Sequence, residues 1–281
     1  MSSQISSNII WLASYPKSGN TWVRFILANL LWGKPETTAE VEQAIPDLHC
    51  CLANKNGITL DALLSQDNLV VKTHFQFPVF KAKALEKVRA ATTGCIYVLR
   101  NPLDVIASNL NYRLLQGYSN LSSQEIEPFS NHYINDFIAK KGDQSWSKFG
   151  FGSWEENVNS WCLQQHNFPT LVIRYEDLIE NTAFEVRKIC DFLGLDANER
   201  ELETAIANSS FLELKKLEDK VIANQETGMF YNSSYADAHQ AGLRFINQGR
   251  IGEGKRKLSA QQRYKAAIAF APLMEKFGYG E

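Results

Sequence analysis

A chain of 281 residues, 44 % apolar and 21 % charged, can bury a sizeable core as one large domain or two small ones. Its net charge of −2 and a pI near 6.2 exclude nucleic-acid coating and a polybasic membrane role, both of which need an excess of Lys and Arg. Any anion site must therefore come from local placement of charge. Five cysteines, an odd number without framework spacing, point to a reducing compartment. His49-Cys50-Cys51 lacks a second Cys/His cluster at zinc spacing, so no metal site is expected. Without an export signal, the sequons at Asn120, Asn208 and Asn232 carry little weight. Met1 to Asn8 is polar and reads as neither signal peptide nor anchor. The run Trp22 to Trp32 is too short to span a bilayer and contains Arg24, so the expected location is the cytoplasm.

In chain order, apolar runs bounded by polar or Gly/Pro residues predict buried parallel strands at 8–14, 68–73, 95–100 and 169–175. Helical patterns lie among them. Thr21 to Leu31 places Val23, Ile26, Leu27, Leu30 and Leu31 on one face, and Asn101-Pro102 opens another helix with Asp104 in its first turn. Further helices fit 123–140, 153–166, 182–193, 198–207 and 259–276. Strands alternating with helices predict an α/β fold, a central parallel sheet with helices on both faces. No linker, repeat or low-complexity block divides residues 1–281, so one domain is expected. Residues 221–257 are polar, Gly-rich and poorly periodic, as in a mobile lid.

The first strand runs into Tyr15-Pro16-Lys17-Ser18-Gly19-Asn20-Thr21-Trp22 and then an amphipathic helix. A strand–loop–helix of this kind aims free backbone N–H groups past the strand end, a P-loop-like device for phosphate. Gly19 permits close backbone approach, Ser18 and Thr21 offer hydroxyls, Lys17 a cation and Trp22 a flat face for a base. Any one of these residues alone would be an ordinary turn, a surface lysine or a core tryptophan. Gly249 to Lys255 mimics an ATP loop, but Arg256 replaces the magnesium-binding hydroxyl and no strand precedes it.

In open α/β sheets, ligands bind outside the carboxyl ends of the strands. The second strand ends in Lys72-Thr73-His74, the third in Arg100, and the fourth in Tyr175-Glu176-Asp177. A histidine beside two lysines is disfavoured as imidazolium and can accept a proton at neutral pH. A hydrogen-bonded structural histidine is the plain alternative. Arg100 presents a flat fork suited to phosphate, with Ser108 two turns along the next helix; pairing with Asp104 is its structural alternative.

Taken together, Tyr15–Trp22, Lys72-Thr73-His74, Arg100 with Ser108, Arg174-Tyr175-Glu176-Asp177-Leu178 and Phe192-Leu193-Gly194 resemble the cytosolic sulfotransferase family, as a bacterial-like member acting on small molecules. Order and spacing match over nearly the whole chain. The resemblance implies 3′-phosphoadenosine-5′-phosphosulfate (PAPS) as sulfuryl donor, adenosine 3′,5′-bisphosphate as product and no metal. The acceptor would be a hydroxyl, amine or carbamoyl nitrogen of a small molecule. It implies that Lys17, Ser18, Gly19, Asn20 and Thr21 hold the 5′-phosphosulfate and that Trp22 and Phe211 flank adenine, with Tyr175 and Ser209 near its edge. Arg100 and Ser108 would hold the 3′-phosphate, His74 would act as general base, and Lys72 would steady the transferring group.

The family's Arg-Lys-Gly segment is replaced by Asn247-Gln248-Gly249, with Arg250, Lys255 or Arg256 as substitute cations and Gly249 and Arg250 counted to the donor site. A solvated basic loop is the alternative reading. Asn20 stands where Thr is commoner. Residues 111–160 and 221–245, rich in aromatics (Tyr112, Phe129, Tyr133, Trp146, Phe149, Phe151, Phe230, Tyr231, Tyr235), are expected to line the acceptor pocket. A phosphoryl-transferring kinase and a nucleotide-binding module without chemistry are the rival readings. Oligomeric state, acceptor and the sulfated atom stay open.

Overall fold

In the computed structural model, strands β1 (Ile9–Ala13), β2 (Leu69–Thr73), β3 (Thr92–Leu99) and β4 (Thr170–Arg174) form one parallel sheet in the order β2-β1-β3-β4. The structure describes residues 8–53, 55, 57–65, 69–77, 83–247 and 249–280. All four strands fall where the apolar runs predict them. Ala13 lies opposite Thr73 on one side and Tyr97 on the other, and Leu99 lies opposite Arg174. The four carboxyl ends therefore share one edge. Strand order reverses between β1 and β3, which opens a crevice at their tips.

Side-chain alternation fills both faces of the sheet. Trp11, Cys95, Tyr97 and Leu99 join a core with Trp154, Trp161 and Phe270 on one side. Leu12, Ile96, Val98 and Ile173 join a second core with Phe25, Ile26, Leu27 and Val186 on the other. Strands this apolar on both faces need helices on both, and the chain is a single α/β domain.

Local chemistry starts the helices where the sequence signals them. Asn101 accepts from the Leu103 amide at 2.9 Å with Pro102 at the first position of the Pro102–Gly117 helix. Ser153 and Glu156 form a reciprocal cap on Trp154–Val158, and Ser259 and Gln262 do so on Ala260–Lys276. The pattern at 153–166 is shorter than predicted: it passes at Asn159 into a π-helical turn ending at Leu163.

Residues 221–257 differ from the expected lid. The helix Phe211–Ala223 enters this stretch, and Ala236–Gln240 and Glu253–Lys257 form short helices within it. Phe230, Tyr231, Ala238 and Ile246 are buried. Single apolar residues at irregular intervals anchor it, and periodicity cannot register them.

One buried side chain ties the helical layer over the first core to the strand tips. Asn157, fully buried, donates to the carbonyls of His74 and Phe151 at 2.8 Å each and accepts from the Tyr97 hydroxyl at 2.8 Å. Asn157→Ala leaves these groups unpaired in the dry interior. It should cost on the order of 3 kcal/mol, read from the urea midpoint at unchanged m. A loss below about 1 kcal/mol would mean the bonds contribute little.

Candidate active site

Past Ala13 the chain turns tightly before the helix Asn20–Trp32 begins. Lys17 (φ 70°) and Gly19 (φ 100°) are both left-handed. For Gly19 the reason is contact: a Cβ there would lie 2.3 Å from the Tyr175 ring. Lys17 adopts the same region against its preference, which marks a constrained position. Asn20 braces the loop from inside, donating to the Leu12 carbonyl at 3.1 Å and the Ser14 hydroxyl at 3.2 Å. Its side chain thus faces the loop and leaves its backbone amide to the crevice. Among the described residues, the amides of Ser18, Gly19, Asn20 and Thr21 make no backbone hydrogen bond. They are the free donors of a helix start.

One crevice brings together Lys17, Gly19, Asn20, Thr21, Trp22, His74, Arg100, Ser108, Tyr175, Phe211 and Gly249. Leu214, Phe245, Ile246, Asn247 and Glu253 complete its wall. Lys17 Nζ lies 3.7 Å from the centre of the Phe245 ring and 4.6 Å from that of Tyr112. Burial pushes its ammonium down to about 7; Glu218 opposes the fall, while Arg100 and Lys72 add to it. Half-buried under these rings, Lys17 has no ion-pair partner among the described residues.

Arg100 is buried and donates to the Lys17 carbonyl at 3.1 Å and the Arg250 carbonyl at 3.2 Å, with its guanidinium 4.3 Å over the Tyr175 ring. Its Nε has no protein partner, and neither has the buried Ser18 Oγ. Two donors without acceptors in this neighbourhood fit an anionic ligand. Asp104 does not pair with Arg100. Its two oxygens accept from the amides of Gly252 and Gly254 at 2.8 and 2.7 Å, fixing the loop that follows Gly249. Burial raises the Tyr175 phenol to about 12, so it stays neutral.

His74 Nδ1 lies 2.8 Å from the Ser14 carbonyl, which can only accept, so Nδ1 carries the proton and Nε2 is left basic. Burial first, then Lys72, holds the imidazole well below its ordinary value. The ring meets Phe151 edge-on at 5.7 Å. From there a run of rings, Phe151, Trp146, Tyr112 and Phe245, leads back to Lys17.

Several predicted residues sit elsewhere. Lys72 is absent from the crevice wall: its Nζ lies 2.6 Å from Asp47 Oδ2 in a buried pair. Burial opposes the Asp47 charge, but Lys72 and Arg24 hold the carboxyl down at about 2. Ser209 is fully buried and accepts from Asn29 Nδ2 at 3.0 Å, so it does not reach the crevice. Trp22 and Phe211 are on the wall, but their centres lie 5.0 Å apart and no base fits between them as they stand. Arg250 offers the wall's neighbourhood a carbonyl while its side chain is exposed. Lys255 is exposed, and Arg256 pairs with Glu253, so neither replaces the missing cations; Gln248 lies outside the described residues. Phe230 is sealed in the core against Phe25, and Tyr231 stacks on His239, so neither lines an acceptor pocket. Tyr133 serves the structure by donating to Asp143 at 2.7 Å.

Sequence reasoning missed Asp47, Asn157 and Glu218. Two had a local signal: Asp47 caps Leu48–Leu52 by accepting from the His49 amide at 3.0 Å, and Glu218 lies on the helix that Ser210 caps through the Glu213 amide. Among the described residues, no group of three or more His, Cys, Asp or Glu is placed to hold a metal, and no helix is long and apolar enough to cross a membrane.

Free amides at a strand–loop–helix, a half-buried lysine and a crevice at the sheet's switch point define an α/β protein with a P-loop-like first turn. The chain belongs to the sulfotransferase domain family, whose model matches residues 7–278. It is 26 % identical to cytosolic sulfotransferase 1 of Danio rerio over 90 % of this chain and 78 % of that protein. It is 27 % identical to sulfotransferase 1A1 of Rattus norvegicus over 94 % and 83 %. Its fold is similar to a mouse sulfotransferase complexed with PAP (TM-score 0.59, 19 % identity, 96 % of this chain and 84 % of that one). A retinol dehydratase in complex with retinol and PAP also shares it (TM-score 0.63, 16 % identity, 95 % and 81 %). The kinase and binding-only readings give way to the family.

Two glycines separate contact from backbone strain. Gly19→Ala meets both a left-handed φ and the Tyr175 ring, whereas Gly33→Ala meets φ 86° and open space. Both should lower the melting temperature. Only Gly19→Ala should lose heat stabilisation by inorganic pyrophosphate, and equal retention in both would remove the loop from the anion site.

Proposed function

We propose that this chain transfers the sulfuryl group of PAPS to a hydroxyl or nitrogen of a small-molecule acceptor, with His74 as general base. The observation that carries this reading is the meeting of Lys17, His74, Arg100 and Ser108 in one crevice with four free amides. Lys17 and the amides of Ser18 to Thr21 receive the 5′-phosphosulfate. Arg100 and Ser108 receive the 3′-phosphate. Trp22 and Phe211 part to take the base, or the base stacks on one outer face.

The acceptor lies on the His74 side, along the run of aromatic rings. His74 Nε2 takes the acceptor's proton as its oxygen or nitrogen bonds to sulfur and the sulfur–oxygen bond to the phosphate breaks. Negative charge then grows on the leaving phosphate, and Lys17 meets it. As in phosphoryl transfer, positioning and fixed charge carry most of the rate. Lys72 has no direct part in this scheme while Asp47 holds it.

The reading is tested by heat stabilisation. Adenosine 3′,5′-bisphosphate should raise the melting temperature well above the effect of AMP; stabilisation by Mg-ATP alone would overturn it. His74→Ala should lower kcat about 10²–10⁴-fold with bisphosphate binding near wild type. Full activity would remove His74 from the chemistry.

The pH profile follows from two depressed groups. His74 stays neutral until well below 6.5, so loss of the base appears only in acid. Lys17 in the free enzyme titrates near 7, and a bound phosphate raises it again. Donor binding therefore takes up a proton above pH 7, and kcat/KM for PAPS should fall as pH rises from there. A flat profile through pH 9 would contradict the assignment of Lys17.

A further inference from the structure

Glu218 belongs to no motif, yet it is a fully buried carboxylate beside the crevice. It projects from the helix Phe211–Ala223, which also carries Phe211 onto the face of Gly249. Its two oxygens accept from consecutive backbone amides, Phe245 at 2.6 Å and Ile246 at 2.9 Å. A carboxylate bonded to two amides fixes a peptide segment in position and direction. The residue so fixed, Phe245, covers Lys17 Nζ at 3.7 Å. Its ring is wedged between Phe230 of the core at 5.5 Å and Tyr112 at 5.8 Å.

We propose that Glu218 is a positioning residue that holds Phe245 closed over Lys17, shielding that side of the phosphate-loop ammonium from water until an anion enters. It acts through the backbone of 245–246 and touches no reacting atom. The consequence is selectivity: a shielded lysine gains most from a ligand that brings full negative charge to it, and little from a neutral one. The proposal rests on reading this crevice as the donor site, but its test needs no donor.

The charged groups that face Lys17 are Glu218, Arg100 from the tip of β3 and Lys72 from β2, with His74 and Glu253 on the same wall. Burial is the largest influence on Lys17, so opening the cover outweighs losing the Glu218 charge. The two effects have opposite signs. Release of Phe245 hydrates Lys17 and moves its titration up; loss of the carboxylate alone moves it down.

The experiment is competitive acetylation of Lys17 by trace acetic anhydride across pH, read by peptide mass spectrometry on the intact folded chain. Wild type should show a midpoint near 7. Glu218→Ala should raise it by more than about one unit toward the free-lysine value. Glu218→Gln, which removes the charge but keeps the volume and one acceptor, retains part of the cover, so its midpoint should lie below that of Glu218→Ala; Phe245→Leu serves if the alanine variant does not fold. Phe245→Leu should raise it alone, and adding Glu218→Ala to it should change little, because both act through one cover. A midpoint that stays put or falls in Glu218→Ala or in Phe245→Leu overturns the proposal. Failure of the wild type to bind adenosine 3′,5′-bisphosphate would sink the donor assignment and leave this titration as decisive as before.

Discussion

An ammonium without a close counter-ion, at the tip of β1, is the constraint around which the crevice is built. Lys17 is held in a left-handed backbone conformation, under two aromatic rings and beside the unbonded amides of a helix start. Cation–π contacts of this kind contribute about 0.5–2 kcal/mol, and burial still pushes the Lys17 ammonium down. In the proposed reading an anion supplies the partner. Arg100 supports the same polarity from the next strand tip, its donors divided between the Lys17 and Arg250 carbonyls and its Nε unmatched.

The wall opposite the phosphate loop is held by acidic side chains bonded to backbone. Glu218 grips residues 245–246, Asp104 grips 252 and 254, and Arg100 reaches the carbonyl of 250. This matters because Asn247 and Gln248 stand where the family resemblance leads one to expect Arg and Lys. With Lys255 exposed and Arg256 neutralised by Glu253, Lys17 and Arg100 are the cations on the described crevice wall. A ligand with two phosphates then depends on preset geometry more than on charge count. Carboxylates bonded to amides give that geometry without drawing on the two cations.

What could be read from the sequence follows from which forces are local. Strands buried on both faces announce themselves as short apolar runs, so all four were legible, and with them the shared edge that gathers Lys17, His74, Arg100 and Tyr175. Helix starts at Asn101 and Ser259 were legible because capping is a matter of three or four neighbours. Long-range satisfaction of polar groups was not. Nothing near Asp47 says that Lys72 will reach it across 25 positions, and nothing near Ser209 says that Asn29 will claim it. The stretch 221–257 looked loose because Phe230 and Ile246 bury singly, without period.

The Asp47–Lys72 pair bears on the chemistry even though neither side chain lines the crevice. His74 must be neutral to act as a base, and burial together with the Lys72 charge keeps it so. A bare lysine there would also raise the positive potential over Lys17 and discharge it further. Asp47 moderates the effect on His74 while remaining ionised itself. Freeing Lys72 to touch a transferring group would strand a buried carboxylate, at a cost of about 3–5 kcal/mol for a broken buried pair. That cost exceeds what one more hydrogen bond to the group would return, about 1.5–3 kcal/mol even when charged. On those magnitudes Lys72 stays with Asp47 and acts at a distance, and in the proposed transfer the charge of the leaving phosphate falls to Lys17.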